Sequence, residues 1–204
     1  PRGPFDCGLL SGFLCHVSAG CVLDLRVADR LQRRSALHSL RLVHCTGETP
    51  TTFPLADLNA MLATRMAKEC QCVTGCRVHD MKWTGVRLAD VLDTAGAKQG
   101  TWGIRLLSFD GAYSETMTMD QARRDDVIVA YELEGKPVSA AHGGPARLYV
   151  APMYGYKSIK WLETIEVVDK EPRAGYWEVR GYDTDAWIGK SNGRDDRSVL
   201  RRRP

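Results

Sequence analysis

The sequence predicts a mixed α+β domain in which strands dominate and helices are few and short. Two observations carry that reading. Runs of β-branched, aliphatic and aromatic residues recur at "GIRLLSF", "VIVAYEL", "ARLYVAP" and "SIKWLETIEVV", each of strand length or a little longer. Helical periodicity is confined to "PLADLNAMLATRMA" and "RLADVLDTAG", too little for a helical bundle or a regular βαβ array.

Taken in order, "SLRLVHCTG", Ser39 to Gly47, reads as a strand running into a turn. Pro54 then opens a helix with Leu55, Leu58 and Leu62 on one face, because proline suits the first helical turn. "CQCVTG" is a short buried strand or loop that carries thiols. The second helix, in "RLADVLDTAG", has Gly96 placed to end it. Four strands follow, and Glu134-Gly135 reads as the turn of a hairpin between Leu133 and Val138. After Val168 the pattern gives way to an irregular stretch rich in Gly, Arg, Asp and aromatic residues. It is expected to pack on the domain through Tyr176, Trp177, Tyr182 and Trp187 and to end in a solvated basic tail, "RRRP".

These features divide the chain into an N-terminal segment, 1–36, a folded domain, 37–170, and a C-terminal arm with its tail, 171–204. At 204 residues there is enough chain to bury a real core. Hydrophobic content of 44% with 26% charged residues excludes disorder and collagen-like repeats. A net charge of +3 is too small to argue for a nucleic-acid partner. In the first segment, "CGLLSGFLCHVSAGCVL" is mildly apolar and is followed by the basic "RVADRLQRR". It is shorter than the roughly 20 apolar residues of a membrane span. Two readings stay open: a loosely packed segment, or the end of a membrane or linker region with a basic flank.

All seven cysteines fall within the first 76 residues, and Cys70, Cys72 and Cys76 lie close to His79. An odd count with one tight trio fits thiols or a metal ligand better than a disulfide scaffold. The quartet offers four ligands soft enough for zinc, although its C-x-C-x3-C-x2-H spacing departs from the usual two separated pairs. The alternative is a set of buried thiols in a reduced protein.

Four later stretches bear on that choice: "WTGVRLADVL", "VAYELEGKPV", "HGGPARLYVAPMYGYKSIKWLETIEVV" and "GYWEVRGYD". Together with "CVTG" they resemble, in the same order and at similar separations, the oxidoreductase molybdopterin-binding domain of the sulfite oxidase family. The resemblance runs from about Ser39 to Tyr182 and is nearest to the bacterial branch that includes the catalytic subunit of periplasmic methionine sulfoxide reductase and forms fused to a cytochrome b. It implies that 37–170 is a molybdopterin-binding oxidoreductase domain with the mixed-sheet sulfite-oxidase-type fold, and that molybdenum-molybdopterin is its cofactor.

Residue by residue, the resemblance makes Cys72 the catalytic thiolate ligand of the metal, a role that suits a soft donor. Cys70 and Cys76 are then its neighbours. The stretch His142-Gly143-Gly144-Pro145-Ala146-Arg147 matches a cofactor-gripping segment, with Arg147 supplying a planar fork for a phosphate or pterin oxygen and His142 a bond to the pterin edge. Gly155, Tyr156, Lys157 and Ser158 match the segment that wraps the phosphate, where glycine lets the backbone approach an anion. Lys160 assists, although strand alternation would set it with Ser158 and apart from Lys157. Ser108 matches a hydroxyl near the metal, and its alternative is a strand-end hydroxyl bonded to backbone.

The family often has Trp where this chain has Cys76, so a large pocket wall is missing. Classical sulfite oxidases carry an Asn-Arg pair just past the ligand, whereas this chain reads Thr74-Gly75-Cys76-Arg77. The first departure leaves the substrate's identity open and the second counts against sulfite; the substrate is expected to be small or protein-bound, such as a sulfoxide. The implied reaction is two-electron oxygen-atom transfer, with electrons exchanged with a membrane cytochrome b or another electron-transfer protein, in a bacterial membrane-associated or periplasmic setting. The competing readings are a zinc- or thiol-stabilised binding module and a cofactor-less interaction domain of the same fold.

Overall fold

The computed structural model describes residues 39–44, 50–73, 75–98, 100–172 and 174–190. The N-terminal segment 1–36, with Cys7, Cys15 and Cys21, lies outside the described residues, as do Cys45 and the "RRRP" tail. No described helix is long and apolar enough to cross a membrane.

Among the described residues, ten strands and three short α-helices follow one another as β1 (Ser39–His44), β2 (Thr51–Pro54), α1 (Leu55–Ala60), β3 (Thr64–Gln71), β4 (Arg77–Arg87), α2 (Leu88–Thr94), β5 (Gly103–Ser108), β6 (Ser114–Thr118), α3 (Met119–Ala122), β7 (Val127–Leu133), β8 (Lys136–Pro137), β9 (Arg147–Val150) and β10 (Leu162–Val168). They form two sheets. The first has the order β2-β1-β10-β5-β6 and is mixed, because β1 runs parallel to β10 while its other pairs are antiparallel. The second runs β3-β4-β7, with the first half of β7 paired to β9 and its end to β8. This is the strand-rich α+β arrangement expected from the sequence.

Strand β7 shows why its run "VIVA" is apolar throughout. Val127 and Val129 enter the main core with Leu40, Leu106, Leu148 and Ile165, while Ile128 and Ala130 enter a second core with Met81, Trp83 and Tyr149. Successive side chains point to opposite faces, and both faces are covered. Glu134 and Gly135 make the expected turn, each at positive φ, 52° and 71°. Gly96, at φ 73°, follows the end of α2 and donates to Asp93 O. Tyr176, Trp177, Tyr182 and Trp187 of the arm pack against the main core.

The first helix is shorter than expected. It stops at Ala60, Leu58 alone of the three leucines is fully buried, and Leu62 is 82% exposed. The chain turns at Met61, whose backbone is extended, and enters β3 at Thr64, which pairs with Gly85. Cross-strand pairing with β4 outweighs a weak local helical preference.

Candidate active site

The thiols sit where β3 turns into β4. Gln71 pairs with Arg77, so the chain turns back between Cys72 and Cys76. The Gly75 amide donates to Cys72 O at 3.0 Å and the Cys72 amide to Cys76 O at 2.7 Å. Gly75 is at φ 98°, a conformation that glycine takes without a steric penalty. The "CVTG" spacing thus fixes a tight turn with Cys72 at its base. Cys72 is 1% exposed and Val73 packs on the main core, whereas Cys70 belongs to the second core and Cys76 is open to solvent.

That division overturns the zinc arrangement. His79 faces Glu69, with Nδ1 3.4 Å from a carboxylate oxygen, and its side chain is 66% exposed. A bulge opposite Glu69 puts two residues, His79 and Asp80, where regular pairing has one, with Asp80 at φ 54°. Among the described residues no three His, Cys, Asp or Glu side chains gather as a metal site.

The expected cofactor-gripping residues separate into two groups. In the first, Arg147 is buried at the start of β9. Its Nη1 donates to His142 O at 2.7 Å, its Nη2 to Ser158 O at 2.9 Å and its Nε to Leu148 O at 3.3 Å. These three carbonyl oxygens orient the guanidinium. His142 shares a 2.9 Å hydrogen bond between Nδ1 and Ser139 Oγ, and the Ser158 hydroxyl accepts from Val150 N at 3.0 Å. Lys160 Nζ donates to Ala141 O at 3.0 Å. Gly143, at φ 96°, lets Lys160 lie against it, since a Cβ there would stand 2.6 Å from Lys160 Cβ. Trp161, at φ 53°, bonds back to Gly143 O and Ala140 O, so the "KSIKW" segment is a bent connection and not the expected start of β10.

Two residues belonging to this group were not singled out from the sequence. The Arg147 guanidinium lies 5.4 Å from the ring centre of Trp83, which stacks on Tyr149 at 5.0 Å. Tyr149 donates to Glu69 O at 2.9 Å, tying β9 to the strand that ends one residue before Cys72. The indole N–H of Trp83 is buried and has no hydrogen-bond partner among the described residues, a state that calls for a ligand or water. This donor set fits a molybdopterin: a buried soft thiol for the metal, with a guanidinium, an ammonium and an indole N–H for its oxygens and ring heteroatoms.

The second group, Tyr156, Lys157 and Ser108, points elsewhere. Lys157 is fully buried, and its ammonium donates to Glu115 at 2.7 Å, Glu178 at 2.7 Å and Thr116 O at 2.8 Å. An ammonium has three donors, and all three are taken, so Lys157 does not grip a phosphate here. Tyr156 bonds Asp183 O through its hydroxyl at 2.7 Å and meets Tyr182 edge-on, while its own carbonyl accepts from Tyr113. The turn Gly155–Lys157 therefore anchors the C-terminal arm. Ser108 is committed as well: its hydroxyl donates to Asp110 and accepts from Tyr113 N at 3.1 Å, closing the β5–β6 turn.

Burial pushes the Glu115 carboxyl well above the usual carboxylate range. Burial also pushes Glu178 up, but its hydrogen bond with Glu115 and the charge of Lys157 more than offset this and leave it lowered. Lys157 is pulled down by burial, yet the two carboxyls raise it on balance. A proton on Glu115 reconciles these directions. It supplies a donor toward Glu178, whose Oε2 is buried without a hydrogen-bond partner among the described residues, and it leaves the cluster with no net charge. Gly175 makes room for this contact, since a Cβ there would stand 2.5 Å from Glu178 Oε2 and 3.0 Å from Glu115 Oε1. Gly175→Ala is expected to destabilise the fold by about 1–3 kcal/mol, read as a lower melting temperature.

Comparison with known proteins gives concordant findings. The family described as the oxidoreductase molybdopterin binding domain matches residues 29–177. The oxidoreductase YuiH of Bacillus subtilis is 31% identical over 133 residues, which cover 65% of this chain and 66% of that protein. The methionine sulfoxide reductase catalytic subunit MsrP of Xanthomonas campestris is 31% identical, covering 65% of this chain and 46% of its own. Sulfite oxidase of Arabidopsis thaliana is 33% identical, covering 49% and 29%. The chain thus spans less than two thirds of each of these relatives. Among solved structures, the sulfane dehydrogenase SoxCD of Paracoccus pantotrophus shares the fold, with a TM-score of 0.61 at 23% identity over 70% of this chain and 40% of that one.

Proposed function

The chain belongs to the oxidoreductase molybdopterin binding domain family, a family of molybdopterin-dependent oxidoreductases, and from that premise we propose that it catalyses two-electron oxygen-atom transfer with Cys72 as the protein ligand of molybdenum. The observation that carries the proposal is Cys72 itself, a thiol 1% exposed at the base of a tight turn. When bound, molybdenum-molybdopterin supplies the oxygen-atom transfer and the two-electron change.

The chain's own residues bind and orient. Cys72 presents a soft anionic donor, and burial of the thiol excludes water from it. Arg147, Trp83 and Lys160 hold the anionic and polar parts of the cofactor, and His142, steadied by Ser139, bonds its edge. Ser158 contributes through its backbone, as the acceptor that aims Arg147. Gly155, Tyr156 and Lys157 stand behind this wall and secure the arm to it.

Cys76 in place of a bulky Trp leaves an open, solvent-facing side to the turn, which favours a sulfoxide-type substrate, small or protein-bound, over sulfite. Electrons pass to or from a separate protein, a membrane cytochrome b or another electron carrier. The test is reduced-viologen oxidation by the cofactor-loaded protein with sulfoxides, N-oxides and sulfite compared side by side. Turnover with a sulfoxide is the expected result, and turnover with none of them overturns the reading.

Arg147→Ala is expected to weaken cofactor retention by about 10- to 100-fold, from the roughly 1.5–3 kcal/mol of a charged hydrogen bond. Arg147→Lys recovers only part of that, because the fork is lost. Molybdenum content after gel filtration checks both.

A further inference from the structure

We infer that Cys72 and Cys76 form a reversible disulfide across the mouth of the β3–β4 turn, which withdraws Cys72 from the metal position and makes cofactor loading sensitive to thiol oxidation. The consequence for loading rests on the proposed role of Cys72; the disulfide itself does not. The two cysteines face each other across a three-residue loop, joined by the 2.7 Å bond from Cys72 N to Cys76 O, and both are thiols here. Opposed residues of an antiparallel pair project to the same face. Hydrogen-bonded pairs lie about 5.5 Å apart at Cα, within the span of about 4.4–6.8 Å that a disulfide bridges. Directly opposed Cβ atoms lie about 4.5–5.5 Å apart, wider than the preferred disulfide separation of about 3.8 Å, so the bond carries strain and stays reducible. The turn has room to adjust, since nothing lies within 4 Å of the Cβ position of Gly75.

Exposure divides the roles. Cys76 is open to solvent and Cys72 is 1% exposed, so an external oxidant meets Cys76 first. With a small disulfide such as oxidised glutathione, the Cys76 thiolate attacks one sulfur and releases one glutathione. The Cys72 thiolate then displaces the second. The Cys72–Cys76 bond forms, the external disulfide takes up the two electrons, and the two protons leave on the two released thiols. Cys70 is a poorer partner, because it lies on the same strand as Cys72, about 6–7 Å away, and is buried in the second core.

The test uses the full-length, cofactor-free Cys70→Ser chain, treated with oxidised glutathione, alkylated and digested with trypsin. The peptide Glu69–Arg77 then holds only Cys72 and Cys76. It is expected to lose the mass of two hydrogens and at least about tenfold of its iodoacetamide labelling, both restored by dithiothreitol. Oxidised protein is also expected to bind at least about tenfold less molybdenum from purified molybdenum-molybdopterin, and Cys76→Ser to remove that sensitivity. Persistent labelling of both cysteines, or glutathione retained on Cys76 alone, overturns the inference. A disulfide that forms without changing molybdenum uptake overturns the ligand role of Cys72 instead.

Discussion

Replacing Cys72 by serine is expected to lower oxygen-atom transfer by more than about 100-fold, because altering even the outer partners of a metal ligand typically costs 10- to 100-fold and this change removes the proposed ligand itself. Serine is a harder donor than a thiolate and far less acidic, so it fails to supply the same charge to the metal even where the cofactor still binds. Cys70→Ser is expected to keep most of the activity, since Cys70 packs with Met81, Trp83 and Tyr149 and reaches the position of Cys72 only if the backbone shifts. The comparison is made on variants loaded equally with cofactor, with reduced viologen as donor and sulfoxides as acceptors. Parent-like turnover by Cys72→Ser beside a dead Cys70→Ser would move the ligand assignment to Cys70.

Lys157→Met is expected to destabilise the fold by about 3–5 kcal/mol, the usual consequence of stripping a buried charge network of one partner. For a domain of this size that lowers the melting temperature by roughly 6–20 °C. Glu115 and Glu178 would be left facing each other in the interior with no cation. Adding Glu115→Gln and Glu178→Gln to Lys157→Met removes the stranded charges and is expected to recover much of the loss. A phosphate-gripping lysine behaves otherwise: its loss releases cofactor while the apoprotein melts unchanged.

The same cluster sets a pH profile. Glu178 is lowered, so its contribution is present above the ordinary carboxylate range and is lost as pH falls through its lower folded value. Glu115 is raised, so its contribution is present below that range and fades as pH rises through its higher folded value. Glu115→Gln is therefore expected to flatten the alkaline side of the stability profile and leave the acid side in place. Melting temperatures measured across pH for the two proteins check this.

How much of this was legible in the sequence depended on whether local pattern or distant pairing decided each element. Strands β5, β7 and β9 declared themselves through apolar runs, because their faces are buried. Strand β4 did not, since its first half, Arg77 to Lys82, is mostly exposed and is held by pairing with β3. Strand β6 hid behind the polar "SETMT", whose Glu115 and Thr116 are buried as parts of the Lys157 cluster. Helix α3 carried a readable signal in Thr118 and Gln121, which form a capping box. At the site, the motif order singled out the Cys72 turn and Arg147, the residues on which the proposed site rests. It did not anticipate the carboxylates around Lys157, and for Ser108 the structure shows the alternative, a strand-end hydroxyl bonded to backbone, because a lysine in a glycine-flanked turn and a hydroxyl at a strand end look alike whether they face an anion or a buried carboxylate. Glu115 and Glu178 lie far from Lys157 in sequence, and nothing local to any of the three announces the cluster.

The central claim is that Cys72 holds molybdenum in a molybdopterin cofactor. Elemental analysis of the full chain purified from a molybdate-replete host proven to make the cofactor tests it most directly. About one molybdenum per chain without stoichiometric zinc is expected, falling in the Arg147→Ala variant. Zinc-loaded, molybdenum-free protein from those cells would contradict the claim.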